Sequence, residues 1–217
     1  MKRTILFISM LISLSAISLS AQNITLEGGY FNPKMQGTNT SETYFDAIRL
    51  GGTYTYNWKY NLGFQTGLLL NTGYSHKIQR YSMSGDSVLY RAWDFALELP
   101  IRAIYKLKLF GDVSIFGFAG PNIQIGLVQN QRTDANLSAA LTQLTGITSG
   151  TSDLYTAGAS SNGIHRINLQ LGAGGGVQWK EFSVKSGYDL GLNNLDATGR
   201  DYVTKGQWYV TLGYQIK

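Results

Sequence analysis

Residues 90–109 read YRAWDFALELPIRAIYKLKL, and the period of that stretch decides the fold. Every second residue from Trp93 onward is apolar: Phe95, Leu97, Leu99, Ile101, Ala103, Tyr105 and Leu107, with Arg91 alone breaking the row at its outer end. Between them lie Asp94, Ala96, Glu98, Pro100, Arg102, Ile104 and Lys106, a row carrying charges of both signs. A strand sends successive side chains to opposite faces, so a period of two means a strand with one apolar face. The spacing of Asp94, Glu98, Arg102 and Lys106 also suits one face of a helix. Pro100 falls in the middle of that helix, where it removes a hydrogen bond and clashes with the preceding turn. The strand reading is therefore preferred.

The same alternation recurs in seven further segments. Strand one is Ile24 to Phe31, with Glu27 on its inner row. Strand two runs from about Phe45 to Trp58 with Arg49 opposite Ile48 and Leu50, and a tight turn at Asn57 to Tyr60 joins it to strand three, Leu62 to Tyr74. Strand four is the opening stretch. After a turn at Phe110 to Asp112, strand five spans Val113 to Leu127, where Pro121 predicts a bulge or an early end to pairing. Strands six (Arg166 to Trp179), seven (Phe182 to Leu192) and eight (Gln207 to Ile216) complete the set. Polar connections follow strands one, three, five and seven; those after strands three, five and seven, Ser75 to Val88, Val128 to Gly163 and Asn193 to Gly206, are read as loops, with a brief helix at Leu137 to Leu144. Tight turns follow strands two, four and six. Alternately long and short connections are what outer-membrane barrels show. The expected fold is all-β, an eight-stranded antiparallel up-and-down transmembrane β-barrel.

The N-terminus adds an address. Met1, Lys2 and Arg3 precede an apolar run from Ile5 to Leu19 and then Ser20, Ala21 and Gln22, the pattern of a cleaved secretory signal peptide. The expected division is residues 1–21 as signal, with the cleavage site open by one residue, and 22–217 as barrel. About 195 residues then remain, enough for one domain. No later run reaches the roughly eighteen apolar residues of a membrane helix, so any crossing falls to strands. Twenty-six glycines, fourteen tyrosines and three prolines suit a β-rich chain, and the absence of cysteine excludes disulfides and thiolate metal sites. A formal charge of +5, or +3 without Lys2 and Arg3, gives no case for nucleic acid.

In a membrane barrel the apolar rows face lipid and the mixed rows face inward. The inward charges are then Glu27, Asp94, Glu98 and Asp189 against Arg49, Arg102, Lys106, Arg166 and Lys185. Charges withdrawn from bulk water must be paired or hydrated. Eight strands enclose a space that side chains can fill. The prediction is a cross-barrel network of ion pairs, with Gly172, Gly174 and Gly176 making room for long residues, and no wide channel. No catalytic, cofactor or metal residue is assigned. Gly172 to Gly176 lacks the Lys-Ser/Thr of a phosphate loop. Ser75 and His76 are the only hint of a lipid hydrolase, which would need a third group to place the base. A narrow transporter would instead need an open lumen, and a soluble lipocalin-like barrel would need the apolar rows inside.

Four of these strands also carry a resemblance. FALELPIRAIYKLKL, FGFAGPNIQIGL, LGAGGGVQW and VKSGYDLGLNNL resemble, in this order, successive strands of the PorT-like outer-membrane β-barrel domain family. The resemblance implies an eight-stranded barrel in a Gram-negative outer membrane, mostly without assigned activity, and some members associated with secretion machinery. The expected partners are outer-membrane lipid, the barrel assembly machinery, and a surface or secretion partner held by the outer loops, chiefly 128–163. The chain departs from the usual terminal aromatic by ending Tyr214, Gln215, Ile216, Lys217.

Overall fold

A computed structural model describes residues 23–38, 42–80, 86–156 and 163–216. The expected signal peptide lies outside the described residues. The strands are β1 (Asn23–Gly37), β2 (Thr43–Tyr44), β3 (Asp46–Asn57), β4 (Leu62–Arg80), β5 (Ser87–Lys108) and β6 (Val113–Asn136). Helix α1 (Ala139–Thr145) follows, then β7 (Gly150–Asp153), β8 (Ile167–Trp179), β9 (Phe182–Gly191) and β10 (Val203–Ile216). Every pairing is antiparallel, and β10 closes on β1 from Ile24↔Ile216 to Gly37↔Val203. The result is a ring of 8 strands, β1, β3, β4, β5, β6, β8, β9 and β10. Closure leaves no sheet edge in the ring, which is what a sheet crossing lipid requires.

The ring is inside-out. Along β5, Asp94, Ala96, Glu98, Pro100, Arg102 and Ile104 are buried, while Trp93, Phe95, Leu99 and Tyr105 are exposed. The same holds across the ring, with Leu50, Leu68, Leu171 and Leu212 outward and Arg49, Asn71, Gln170 and Thr211 inward. A closed row of exposed leucines, valines and isoleucines around a polar core is stable only against hydrocarbon. Aromatic residues bound the belt. Tyr74 and Trp93 (ring centroids 4.8 Å apart) and Tyr30 and Trp208 (5.4 Å) mark one rim, and Phe182 and Tyr214 (5.2 Å) the other. From Trp93 to Tyr105 a tilted strand rises roughly 30 Å, the thickness of a bilayer core.

At the lower rim, tight turns join β3 to β4, β5 to β6 and β8 to β9; Tyr60 and Asn61 in the first take positive φ (58° and 66°). At the upper rim the strands extend well past the belt, and here several expectations are corrected. Of the expected loop Ser75 to Val88, residues 75–80 and 87–88 are strand: β4 and β5 stay paired to Arg80↔Ser87. Likewise β6 continues to Asn136, and β7 pairs with it at Asn130 to Thr133, so residues 128–136 and 150–153 of the expected 128–163 loop are sheet. β1 runs past Phe31 to Gly37, and Val203 to Gly206 belongs to β10. Above the membrane both faces of a strand meet water, so pairing continues without the alternation that reveals it in sequence. Helix α1 lies within two residues of its expected place, but none of its residues is buried.

Pro121 neither ends β6 nor bulges it. Pairing with β8 runs straight through Pro121↔Leu171, helped by Gly120, whose φ of 154° and approach to the Ile101 carbonyl leave no room for a Cβ. The irregularity falls higher, where the register shifts between Phe95/Ala96 and both Leu127 and Val128 point outward. That bulge turns Gln129 inward, a position that strict alternation would have given to its neighbours.

Candidate functional site

The interior is assembled from four ion pairs stacked along the barrel. Near the lower rim Lys185 meets Glu27 at 2.6 Å, and Thr53 donates to the same carboxylate at 2.7 Å. At mid-height Arg49 meets Glu98 at 3.3 Å and Arg102 meets Asp189 at 2.6 Å. Side-chain exposure is 2% and 0% for the first pair and 3% and 0% for the second, so both are sealed from solvent. Highest of the four, Lys205 pairs with Asp94. Each charge is thereby matched, the condition under which burial is tolerable.

Carboxamides tie the pairs into one plug. Glu98 accepts from Asn71 at 2.5 Å, from Asn122, and from Gln207 at 3.1 Å. Asn122 donates also to Gln170 (2.7 Å) and Asp189 (3.3 Å), and Gln207 reaches Asp189 at 3.3 Å. Inward aromatics give the guanidinium groups flat surfaces: Arg49 lies 4.2 Å from the Tyr209 ring centre and 5.1 Å from that of Phe31, and Arg102 lies 5.5 Å from that of Phe118. Such stacking is worth most where the cation is desolvated. Gly172 is required by the plug, because a Cβ there would collide with Asp189 Oδ1 and Arg102 Nη1.

Of the nine charges assigned to the interior by alternation, Glu27, Arg49, Asp94, Glu98, Arg102, Lys185 and Asp189 meet in these pairs. Lys106 sits at the lower mouth and donates to Gln178 at 2.7 Å, with no carboxylate partner among the described residues. Arg166 is corrected: it precedes β8, is exposed at the upper rim, donates to the Leu127 carbonyl at 2.9 Å and lies over Tyr155. Sequence reasoning missed Lys205, whose segment reads as polar loop. The signal was the two-residue step back from Gln207, continuing the inward row into the supposed loop. It also left out the carboxamides, Asn71, Asn122, Gln170 and Gln207, which do as much to fill the lumen as the charges.

Above the plug the barrel opens outward into a vestibule of about 630 Å³. Met35, Phe45 and Gln129 line its lower part, the inward faces of β4 and β6 give it Ser75, Lys77 and Gln131, and the 196–203 loop gives it Arg200. That loop is held by Asp196, whose carboxylate accepts from the backbone N–H of Thr198 (2.9 Å), Arg200 (2.8 Å) and Asp201 (2.8 Å). The Asp201 N–H foremost, then the Thr198 hydroxyl at 2.7 Å and the other N–H donors, hold its pKa down at about 2. Leu195 is buried beneath, and His165 N–H donates to its carbonyl at 2.8 Å, tying the loop to the start of β8. A second cavity, about 50 Å³, lies at the lower mouth beside Lys106 and Gln178. Ser75 and His76 do not come together: Ser75 faces the vestibule, and His76, next in the strand, faces outward and stacks on Tyr74 at 6.0 Å. Among the described residues no cluster of His, Asp and Glu has the makings of a metal site.

No curated protein matches the chain. Among solved structures it is similar to neisserial surface protein A (NspA), at 11% identity and a TM-score of 0.44 over 89% of this chain and 97% of that one. It is similar to Ail, the attachment invasion locus protein of Yersinia pestis, at 13% identity and a TM-score of 0.39 over 89% and 98%. A third is the outer membrane enzyme PagL, at 13% identity and a TM-score of 0.31 over 89% and 98%. The family model described as "Outer membrane protein beta-barrel domain" matches residues 17–197. With that match over most of its length, a closed eight-stranded ring and a lipid-facing apolar belt, the chain belongs to the outer membrane protein beta-barrel domain family and resides in the cell outer membrane.

Proposed function

We propose that this protein is a non-enzymatic, non-conducting outer-membrane barrel whose working surface is its outer end, built from the extended β4–β6 sheet, the segments 137–156 and 163–166 and the 192–202 loop. The observation that carries this reading is the plug. Four ion pairs stacked along the lumen and a ladder of carboxamides close it, with Glu98 and Asp189 of the two mid-height pairs fully buried between β5, β9 and their neighbours. A solute would have to break several charge-assisted hydrogen bonds to pass, each worth about 1.5–3 kcal/mol. Side chains committed to one another in this way are not free to bind or turn over a substrate. The outer end is different in kind: it holds the large vestibule and loops on a rigid scaffold, the usual place for recognition.

Within the family, the four strand motifs support a place among the PorT-like barrels, and with it a role beside surface or secretion partners rather than in solute transport. The conductance of the purified, folded protein in a planar bilayer tests the plug: only small, erratic events are expected, and a steady open state would contradict the reading. Deleting residues 137–149, which join β6 to β7, tests the outer surface. Heat-modifiable migration should persist while partner capture at the cell surface is lost, and capture that survives the deletion counts against that segment.

A further inference from the structure

We infer that the vestibule is a binding site for a compact, hydroxyl-rich ligand bearing one negative charge, the chemistry of an acidic monosaccharide. This rests on the reading of the outer end as the working surface and says what one part of it takes. The volume, about 630 Å³, falls within the range of small-molecule sites, and its floor is closed by the plug.

Gln129 at the floor is the first pointer. Its residue is 2% exposed, its Oε1 has no hydrogen-bond partner among the described residues, and its Nε2 reaches only the Met35 sulfur at 3.8 Å. A buried amide oxygen left unpaired costs about 1–3 kcal/mol; the Gln129 amide is held only by the long Met35 contact, so turning it toward the cavity lets a ligand donor recover that cost. A carboxylate has no proton to give, so the group that meets Gln129 Oε1 is a hydroxyl or amine. Gln79 and Gln131, on the neighbouring walls, likewise offer both a donor and an acceptor, the pattern that matches hydroxyl groups.

The second pointer is charge. Lys77 and Arg200 line the vestibule and neither side chain forms an ion pair with a described residue. The carboxylates of the same wall are already engaged: Asp196 takes three backbone N–H groups of its own loop, and Asp201 accepts from the N–H of Thr38 and Tyr202 at 3.0 and 2.8 Å. Asp196 and Asp201 keep their charge, because neutral N–H donors do not cancel it, so the lining carries two charges of each sign; Lys77 and Arg200 are the cations in it that no carboxylate among the described residues pairs, and an anion is what they would take. Donor and anion must sit on different groups of one small molecule, since Gln129 lies at the floor and Arg200 in the loop at the mouth. An acidic sugar meets both requirements.

Glucuronate titrated into the full barrel in detergent, followed by saturation-transfer NMR and calorimetry, tests this, with glucose and acetate as the uncharged and charge-only controls. Glucuronate should bind saturably, glucose about tenfold more weakly and acetate not measurably. K77M/R200M should bring glucuronate to the level of glucose, and Q129L should weaken both sugars, with heat-modifiable migration unchanged in each variant. Absence of saturable glucuronate binding overturns the inference, as does binding indifferent to Q129L; glucose binding equal to that of glucuronate overturns the charge assignment. Failure here in a barrel that does not conduct leaves the sealed-barrel reading standing, whereas steady conductance removes the floor and both readings with it.

Discussion

Removing Glu98 is the sharpest test of the interior. At 0% exposure it takes the charge of Arg49 at 3.3 Å and hydrogen bonds from Asn71, Asn122 and Gln207. With an effective dielectric of about 20, the pair alone interacts by about 5 kcal/mol. E98A leaves the Arg49 guanidinium buried between Tyr209 and Phe31 with no carboxylate, and leaves three carboxamides short of an acceptor. Breaking one side of a buried pair costs about 3–5 kcal/mol. The double replacement R49M/E98L removes both charges, keeps an apolar side chain against the two rings, and should recover at least half of that loss, because well-packed apolar pairs replace buried ion pairs at little cost. The assay is urea unfolding of the lipid-folded barrel, read by the fluorescence of Trp93, Trp179 and Trp208, all of which point outward from the ring. An E98A midpoint indistinguishable from that of the unchanged protein, or a double variant as unstable as E98A, would refute the account of the plug.

Other outcomes follow from the same geometry. G172V drives a side chain between Arg102 and Asp189 and should destabilise the barrel by about 1–3 kcal/mol in the same assay, while G175V, at an outward position of the same strand, should cost less. D196A should loosen the 196–203 loop, seen as lost amide protection at Thr198 and Asp201, with the barrel strands unaffected. The pH dependence has a definite sign: the folded carboxyl of Asp196, at about 2, lies below the unfolded value of about 3.9. Its support for the loop is present above about pH 4 and is lost as pH falls toward 2, so protection of the same amides should decline over that window and not above it.

The membrane-spanning half of the fold was legible because lipid on one side and a plug on the other impose strict alternation. Trp93 to Tyr105 obeys it without exception. Where the constraint lapses, so does the signal: Lys77, Gln79, Gln131 and Lys205 all lie in strand segments above the belt that read as polar loops, and these are the residues that shape the vestibule or cap the plug. Gln129 was hidden for another reason, since the bulge at Leu127 and Val128 reverses the faces beyond it. Arg166 erred in the opposite direction. Alternation carried back one residue from Ile167 placed it inside, but β8 begins at Ile167 and its neighbour is free to turn to the rim. Which cation pairs with which carboxylate needed the ring itself, because Arg102 and Asp189 are 87 residues apart and meet across β5, β6, β8 and β9.

The direction in which the leucine rows face is best measured by thiol labelling, since the chain has no cysteine of its own. Single cysteines at Leu68 and Leu171, each 53% exposed on the isolated barrel, and at Leu144 on α1, 82% exposed, would be treated in intact cells with a membrane-impermeant maleimide. The inside-out barrel predicts rapid labelling at Leu144 and none at Leu68 or Leu171 until the membrane is dissolved and the barrel unfolded. Labelling of Leu68 and Leu171 at the rate of Leu144 would contradict it.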